Sequence, residues 1–260
     1  MPAPATVDVR TTDGLRLSAE HWDTGGREIA CVVAHGFTGS SRNPDVRRIC
    51  RGLVAQGLSV LAPDFRGHGR SQGRGTAGVD EIRDVAAAVA WLRSEGYRFV
   101  AILGWSMGGT AVLRHAGLGG DADAVVSVSA PGIWWERGTR PMRLVHWMFE
   151  SRTGRVATRV LRRTRVTSDG WTDLPASPSE VAGFIAPRPL LVVHGEADHY
   201  FPVQHVEALA AGAPHATVWL EPAMGHGEVA TTRDLVDRLG RWVLAAHERS
   251  RTVCDDESRD

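Results

Sequence analysis

One short segment of the sequence has the residue types and the spacing of a nucleophilic site. Ser106 lies in the run Gly104-Trp105-Ser106-Met107-Gly108-Gly109, which fits the pattern G-x-S-x-G. This pattern needs glycines two residues before and two after the serine, because a Cβ in so tight a turn would collide with neighbouring backbone. The pattern is short enough to arise by chance, so the elements around it must decide its meaning.

A serine hydroxyl is a poor nucleophile until a base removes its proton, so a histidine and a carboxylate are also needed. His226 follows later in the chain, in Met224-Gly225-His226-Gly227-Glu228, and Asp198 precedes it. We interpret His226 as the base and Asp198 as the carboxylate that orients it. The carboxylates that stay as alternatives to Asp198 are Glu196 and, more remotely, Asp169 and Asp173.

The elements around these residues alternate between short apolar runs and helical patterns. The apolar runs predict strands at residues 7–10, 15–22, 29–34, 58–63, 99–104, 124–130, 190–194 and 217–220. The helical patterns predict helices at residues 44–56, 79–94, 107–115, 203–211 and 229–247. Ser106, Asp198 and His226 each follow a predicted strand, and parallel strands bring such loops to one edge of a sheet.

This alternation predicts an α/β fold with a mostly parallel, doubly wound sheet, because apolar strands of this kind are covered on both faces. The alternation stops over residues 132–178, a segment that is rich in tryptophan and contains nine arginines. We expect this segment to be an inserted helical cap, and residues 1–131 and 179–260 to form the core.

Along nearly its whole length the sequence resembles the α/β-hydrolase superfamily. The likeness is carried by the serine motif, by His35-Gly36-Phe37-Thr38-Gly39 after the third strand, and by Asp64-Phe65-Arg66-Gly67-His68-Gly69-Arg70-Ser71. The chain order Ser, Asp, His also agrees with that superfamily. The pairing of HGFTG with GWSMGG is especially similar to small carboxylesterases and monoglyceride-lipase-like hydrolases.

The resemblance implies roles for the two remaining loops. The backbone N–H groups of Phe37 and Met107 would form the oxyanion hole. His35 would support the backbone of the first loop and would not act as a base. We read the loop that begins at Asp64 as structural, with Asp64 and Arg66 joining loops together.

The cap is the segment in which we expect substrate specificity, since pockets form between a sheet edge and whatever covers it. Four tryptophans are our candidates for substrate contact: Trp105, Trp134, Trp135 and Trp147. With Phe149, the last three could instead form an interfacial face or the small core of the cap. The arginines of the cap could steer an anionic substrate or, more simply, form the solvated face of a helix.

Composition removes several classes of function. The 30 basic and 30 acidic residues cancel, which argues against a nucleic-acid binder that works through a global positive field. Cys31, Cys50 and Cys254 show no ligand spacing, so we expect neither a disulfide framework nor a metal site. No leader or long apolar stretch is apparent in the sequence, from which we expect a cytoplasmic protein without stable membrane insertion. No cofactor is implied, and the oligomeric state stays open.

These observations predict a serine hydrolase that cleaves a carboxylic ester or thioester through an acyl-enzyme on Ser106. A thioesterase, a carbon–carbon bond hydrolase, a peptidase or an acyltransferase could share every motif. An amide substrate usually calls for capture of an amine, and the cap has no acidic cluster for this purpose. A ligand-binding module that keeps the fold without catalysis is the alternative from another class.

Overall fold

The computed structural model describes residues 2–134, 137–168 and 174–257, with side chains described up to residue 252. The strands are β1 (Ala5–Arg10), β2 (Arg16–Trp22), β3 (Ile29–Ala34), β4 (Ser59–Pro63), β5 (Phe99–Trp105), β6 (Ala124–Val128), β7 (Leu190–Gly195) and β8 (Thr217–Glu221). The helices are α1 (Pro44–Val54), α2 (Glu81–Ser94), α3 (Met107–Gly117), α4 (Arg140–Glu150), α5 (Arg152–Leu161), α6 (Pro178–Ala182), α7 (Gln204–Gly212), α8 (Gly227–Ala230) and α9 (Arg233–Glu257), with a 3-10 turn at Gly183–Ile185.

The eight strands of the described residues form one sheet in the order β1-β2-β4-β3-β5-β6-β7-β8. The first two strands form an antiparallel hairpin and β2 pairs antiparallel with β4, whereas every other pairing is parallel. The carboxyl ends of β3, β5, β7 and β8 therefore meet at one edge of the sheet. The predicted mostly parallel, doubly wound sheet of an α/β-hydrolase fold is confirmed.

The middle of the sheet is covered on both faces, since β4, β5, β6 and β7 are buried at every position. On β3, Ala30, Val32 and Ala34 belong to the core under α2, α3, α6 and α7, whereas Cys31 and Val33 belong to the core under α1 and α9. This alternation follows from the two-residue period of a strand.

The segment between β6 and β7 contains α4 and α5, which pack against one another. The side chain of Thr139 caps α4, and Ser151 caps α5 by accepting the N–H of Gly154 at 2.8 Å. A short parallel bridge between Gly75 and Val166 ties this segment to the loop after β4. Hydrogen bonds on each side of the bridge measure 2.7 and 3.0 Å. We call this segment the cap.

The C-terminal part of the chain differs from the single predicted helix at 229–247. Two helices are present, because Thr231 and Thr232 interrupt the pattern. The hydroxyl of Thr231 donates to Gly227 O at 3.0 Å, and Thr232 caps α9 by accepting the N–H of Leu235 at 3.1 Å. The second helix then continues to Glu257, beyond the predicted end. Within the described residues, no helix is both long enough and apolar enough to cross a membrane.

Candidate active site

Ser106 lies at the turn between β5 and α3, and its backbone is strained. Its φ of 52° and ψ of −117° fall in a region that L-residues rarely occupy, which costs about 1–3 kcal/mol. The turn can close only because neighbouring positions lack side chains. A Cβ on Gly104 would lie 2.2 Å from Gly108 O, and one on Gly108 would lie 2.2 Å from Ala34 O. The strand-to-helix setting predicted for the serine is therefore present.

Ser106, His226 and Asp198 form one continuous chain of hydrogen bonds. The Ser106 hydroxyl lies 2.9 Å from His226 Nε2, and His226 Nδ1 lies 2.7 Å from Asp198 Oδ2. With Nδ1 protonated, Nε2 can accept the proton of the serine hydroxyl. These three side chains come from the loops after β5, β8 and β7, at the shared edge of the sheet. Among the described residues, Glu196 makes no contact with this chain; Asp169 and Asp173 lie outside them.

The environment of Asp198 keeps its carboxyl group ionised. Burial alone would raise its pKa, but the hydrogen bond and charge of His226 oppose this. The other oxygen, Oδ1, accepts the backbone N–H groups of Tyr200 at 2.8 Å and Phe201 at 3.1 Å. The net result is a pKa below the usual value of an aspartate. An ionised Asp198 can hold the imidazole of His226 in one tautomer.

The loop after β3 is fixed by His35. Its Nδ1 donates to Gly36 O at 2.8 Å, and its Nε2 accepts the N–H of Phe65 at 3.0 Å. Burial lowers the pKa of His35 to about 4, so the ring is neutral at pH 7 and both nitrogens are already engaged. His35 therefore supports backbone, as expected, and is not placed to act as a base.

The loop that begins at Asp64 also joins backbone segments. Asp64 accepts the N–H groups of Ser41 at 2.7 Å and Arg70 at 2.9 Å. Arg66 forms ion pairs with Asp84 at 2.7 Å and Asp13 at 3.0 Å. Asp64 and Arg66 therefore join separate loops, in agreement with the structural interpretation.

Glu228 is a residue of the site that the sequence analysis missed. Its Oε1 accepts the N–H of Gly36 at 2.6 Å, across 192 positions of the chain. The carboxylate lies so close that a Cβ on Gly36 would be 3.2 Å from Oε2 and 3.3 Å from Cβ of Ser106. Its position two residues after His226 was the only signal in the sequence, and that signal does not reveal a contact with a distant loop.

A cavity of about 370 Å³ opens at Ser106 and His226. This volume lies in the range of small-molecule sites. Part of the lining is apolar and comes largely from α4 of the cap, and we call it the apolar wall; we call the polar lining residues the polar wall. The apolar wall includes Phe37, Pro141, Met142, Leu144, Val145 and Met148, and the polar wall includes Asn43, Asp45 and Glu228. Phe37 and Met107, whose N–H groups we expect to bind an oxyanion, both line the cavity beside Ser106.

A sequence model of the family described as serine aminopeptidase, S33 (Hydrolase_4) matches residues 27–185. This match includes β3, the serine turn and most of the cap. The chain belongs to this family. The match ends before Asp198 and His226, so the interpretation of these two residues rests on their hydrogen bonds.

Two curated relatives share parts of the sequence. A carboxylesterase of Bacillus subtilis is 35% identical over 91 residues, which are 34% of this chain and 36% of that protein. A non-heme haloperoxidase of Rhodococcus erythropolis is 34% identical over 147 residues, 55% of this chain and 51% of that protein. The S33-family chain therefore spans about a third to a half of the length of these relatives.

Solved structures show the same fold over nearly the whole chain. The Pyrococcus furiosus esterase Pf2001 is 25% identical with a TM-score of 0.72, covering 95% of this chain and 91% of that one. DcsB, solved in complex with its substrate analogue, is 18% identical with a TM-score of 0.76, covering 95% and 100%. The S33-family chain is thus an α/β hydrolase in sequence and in fold.

The predicted tryptophan contacts require correction, because the described tryptophans do not line the cavity of this S33-family protein. Trp105 ends β5 with its side chain on the α1 and α9 face, fully buried, and its Nε1 donates to Thr231 Oγ1 at 2.9 Å. Trp134 donates to Pro175 O and packs under Arg114. Trp147 is 41% exposed on α4. Trp135 lies outside the described residues. Methionine and aliphatic side chains of α4 form the wall instead.

Two of the three cysteines are not placed for chemistry. Cys31 and Cys50 are fully buried, and burial raises the pKa of both, that of Cys31 to about 12. The side chain of Cys254 lies outside the described residues. Within the described part of the chain, no group of three or more His, Cys, Asp or Glu side chains is arranged to hold a metal ion.

Proposed function

We propose that this protein is a serine carboxylic-ester hydrolase that works through an acyl-enzyme on Ser106. The observation that carries the proposal is the unbroken chain from Asp198 through His226 to Ser106, with distances of 2.7 and 2.9 Å, at the floor of a cavity. An activated serine beside a small-molecule cavity is the arrangement that acyl transfer requires.

In the proposed reaction, Ser106 Oγ attacks the ester carbonyl carbon while His226 Nε2 takes the hydroxyl proton. The backbone N–H groups of Phe37 and Met107 stabilise the negative oxygen of the tetrahedral intermediate. Met107 is the first residue of α3, so its N–H has no partner within the helix. His226 then protonates the leaving alcohol, and a water molecule activated by the same nitrogen releases the acid.

The walls of the cavity favour an ester with an apolar acyl group. Met142, Val145 and Met148 present flexible apolar surface from α4, and methionine side chains adapt to substrates of different shape. The similarity to a Bacillus carboxylesterase and to a Pyrococcus esterase supports the same substrate class. Thioesters, carbon–carbon substrates and acyl transfer use the same residues, and the experiment below separates them.

A second candidate is aminopeptidase activity, as the family description suggests. The sequence led us to expect no capture of an amine, since the cap shows no acidic cluster. The polar wall nevertheless includes the carboxylates of Asp45 and Glu228, which come from outside the cap. Capture of a substrate ammonium by these groups predicts turnover of aminoacyl p-nitroanilides with a free amine, and none when that amine is acetylated.

The experiment that tests the proposal is hydrolysis of p-nitrophenyl esters from acetate to palmitate, with an acyl-CoA in parallel, by wild type and Ser106→Ala. We expect a maximum at one acyl length in the wild type and loss of activity in the variant. A fluorophosphonate probe, which needs an activated serine, should label only the wild type. Labelling without turnover of any ester would overturn ester hydrolysis and favour another acyl substrate. Absence of both would leave a ligand-binding module.

A further inference from the structure

The outer surface of helix α5 has two exposed strips that the proposed reaction does not use. Gly154 and Thr158 are buried against α4 and define the inner strip of the helix. Because successive residues are rotated by about 100°, the other residues fall into an aliphatic strip and an arginine strip. We call the two together the α5 surface. The aliphatic strip is Val156, Ala157, Val160 and Leu161, and the arginine strip is Arg152, Arg155 and Arg159.

The aliphatic strip is exposed to an extent that is unusual for such side chains. Val156 is 62%, Val160 69% and Leu161 77% exposed, on adjacent turns of one helix. Scattered surface aliphatics need no explanation, but a contiguous apolar patch usually marks a binding surface. Arg162, directly after α5, lines the catalytic cavity, so the α5 surface ends at the cavity.

The positive charge beside the aliphatic strip indicates an anionic partner. Residues 151–168 contain six arginines and no acidic residue. Glu150 precedes α5 but already pairs with Arg137 and His146. Among the described residues, neither Arg152 nor Arg159 has an acidic partner. A second copy of the chain would place arginines against arginines in a symmetric dimer, so charge repulsion disfavours it. A small anion would pair with the arginines but would leave the aliphatic strip exposed to water.

We propose that the α5 surface docks on an anionic lipid bilayer, with the arginines at the headgroups and the aliphatic strip in the acyl boundary. An apolar strip flanked by basic side chains on one helix is the pattern of interfacial helices. The interfacial face that the sequence suggested is different: Phe149 is buried against Phe37, with ring centroids 5.0 Å apart. Docking is independent of the reaction at Ser106.

The test is co-sedimentation of the full chain with phosphatidylcholine vesicles, with and without phosphatidylglycerol, at low and high salt. We expect binding only to the anionic vesicles and release by salt. Arg152→Gln with Arg159→Gln should lower the partition coefficient about thirtyfold at low salt, since each basic side chain near an anionic surface contributes about fivefold. Val160→Ser with Leu161→Ser should lower it about tenfold or more.

Phe184→Ser is the matched control, because Phe184 is 73% exposed in the 3-10 turn, away from α5. It should bind vesicles as the wild type does. Turnover of soluble p-nitrophenyl acetate reports that each variant is folded. Equal binding to neutral vesicles, or no binding to either kind, overturns the proposal. So does a dimer of the wild type that Val160→Ser with Leu161→Ser dissociates, since the occupant would then be a second copy.

A different observation concerns Glu228, whose carboxylate joins the loop after His226 to the loop that carries Phe37. Arg48 holds the backbone of this segment, donating to Glu228 O at 2.9 Å. From the other side, Gly36 O accepts from Gly39 N at 3.0 Å and from His35 Nδ1. The backbone N–H and C=O of Gly36 are therefore both hydrogen-bonded, and Gly36 is the residue that precedes Phe37. A negative charge so near the developing oxyanion opposes catalysis by itself.

We infer that Glu228 is a positioning residue, which fixes Gly36 so that the N–H of Phe37 points at the oxyanion; this inference rests on the proposed function. Glu228→Ala should lower kcat about tenfold to a hundredfold with KM changed less than about threefold, because a displaced donor acts only in the transition state. Glu228→Gln keeps an acceptor for the N–H and loses the charge, so kcat should return to within about threefold of wild type or exceed it.

The second readout is the rate of fluorophosphonate labelling, whose adduct also presents an oxygen to the oxyanion hole. That rate should fall in Glu228→Ala and recover in Glu228→Gln. Equal losses of kcat and labelling rate in both variants would mean that the charge of Glu228 is needed. No loss in either variant would mean that Gly36 is fixed without Glu228. Each result overturns the positioning role. Failure of the ester reaction itself would instead show as inactive wild type, while the labelling rates still judge Glu228.

Discussion

The sheet edge that carries Ser106 and the cap hold their polar side chains in opposite ways. At the edge, Asp198, His226 and Asp64 each make at least two hydrogen bonds at defined distances. On α5 of the cap, Arg152 and Arg159 have no acidic partner in the described structure, and aliphatic side chains beside them are exposed. Defined contacts of this kind are what the proposed reaction at Ser106 requires, whereas the exposed side chains of α5 are those that we propose for docking.

The largest effect we expect comes from the carboxylate at the edge. Asp198→Asn should lower kcat about 10⁴-fold, because the amide cannot hold the tautomer in which His226 Nε2 accepts a proton. Glu196→Gln is the matched control, since Glu196 is exposed two residues away and should leave kcat unchanged. Steady-state kinetics with one p-nitrophenyl ester measures both. A comparable loss in the two variants would mean that the loop, and not the contact of Asp198, matters.

The second prediction compares a glycine of the edge with one of the cap. Gly108→Ala places a Cβ 2.2 Å from Ala34 O, so the turn must open; we expect loss of activity and at least about 3 kcal/mol from the free energy of unfolding. Gly138→Ala meets no atom within 4 Å and should change neither quantity. Denaturant unfolding and kinetics test the pair. A stable, active Gly108→Ala variant would show that the turn is not rigid.

The sequence predicted the edge of the sheet better than it predicted the cap. The strands and the chain Ser106, Asp198, His226 were predictable, because apolar runs and fixed motifs are local signals. The substrate wall was not, because the face on which a side chain such as Trp105 lies depends on where β5 ends. Glu228 was missed for a related reason: its partner Gly36 becomes a neighbour only when the sheet has formed.

The third prediction concerns acid stability, which depends on the buried loops of the edge. His68 is fully buried, its Nδ1 donates to Arg66 O at 2.9 Å, and burial lowers its pKa to about 4. The unfolded chain takes up a proton below about pH 6.5, whereas the folded chain does not until about pH 4. This contribution to stability is therefore lost as the pH falls through that window, by about 3 kcal/mol in total.

Urea unfolding at a series of pH values measures this loss. His68→Asn should be less stable at pH 7 but should show a flatter decline between pH 6.5 and 4. His215→Asn, at an exposed histidine, should follow the wild-type curve. Equal slopes of the wild type and His68→Asn over the window would contradict the burial argument.

The smallest effect we expect lies in the cap wall. Met148→Ala removes apolar surface from the cavity, so the preferred acyl chain should lengthen and the ratio of kcat/KM between long and short esters should rise about tenfold. Trp147→Ala is the matched control on the next residue, because Trp147 does not line the cavity. The same ester panel measures both. The opposite result, in which Trp147→Ala shifts the acyl-length preference and Met148→Ala does not, would contradict this prediction. It would mean that the cap takes a different arrangement over bound substrate, in which Trp147 contacts the substrate.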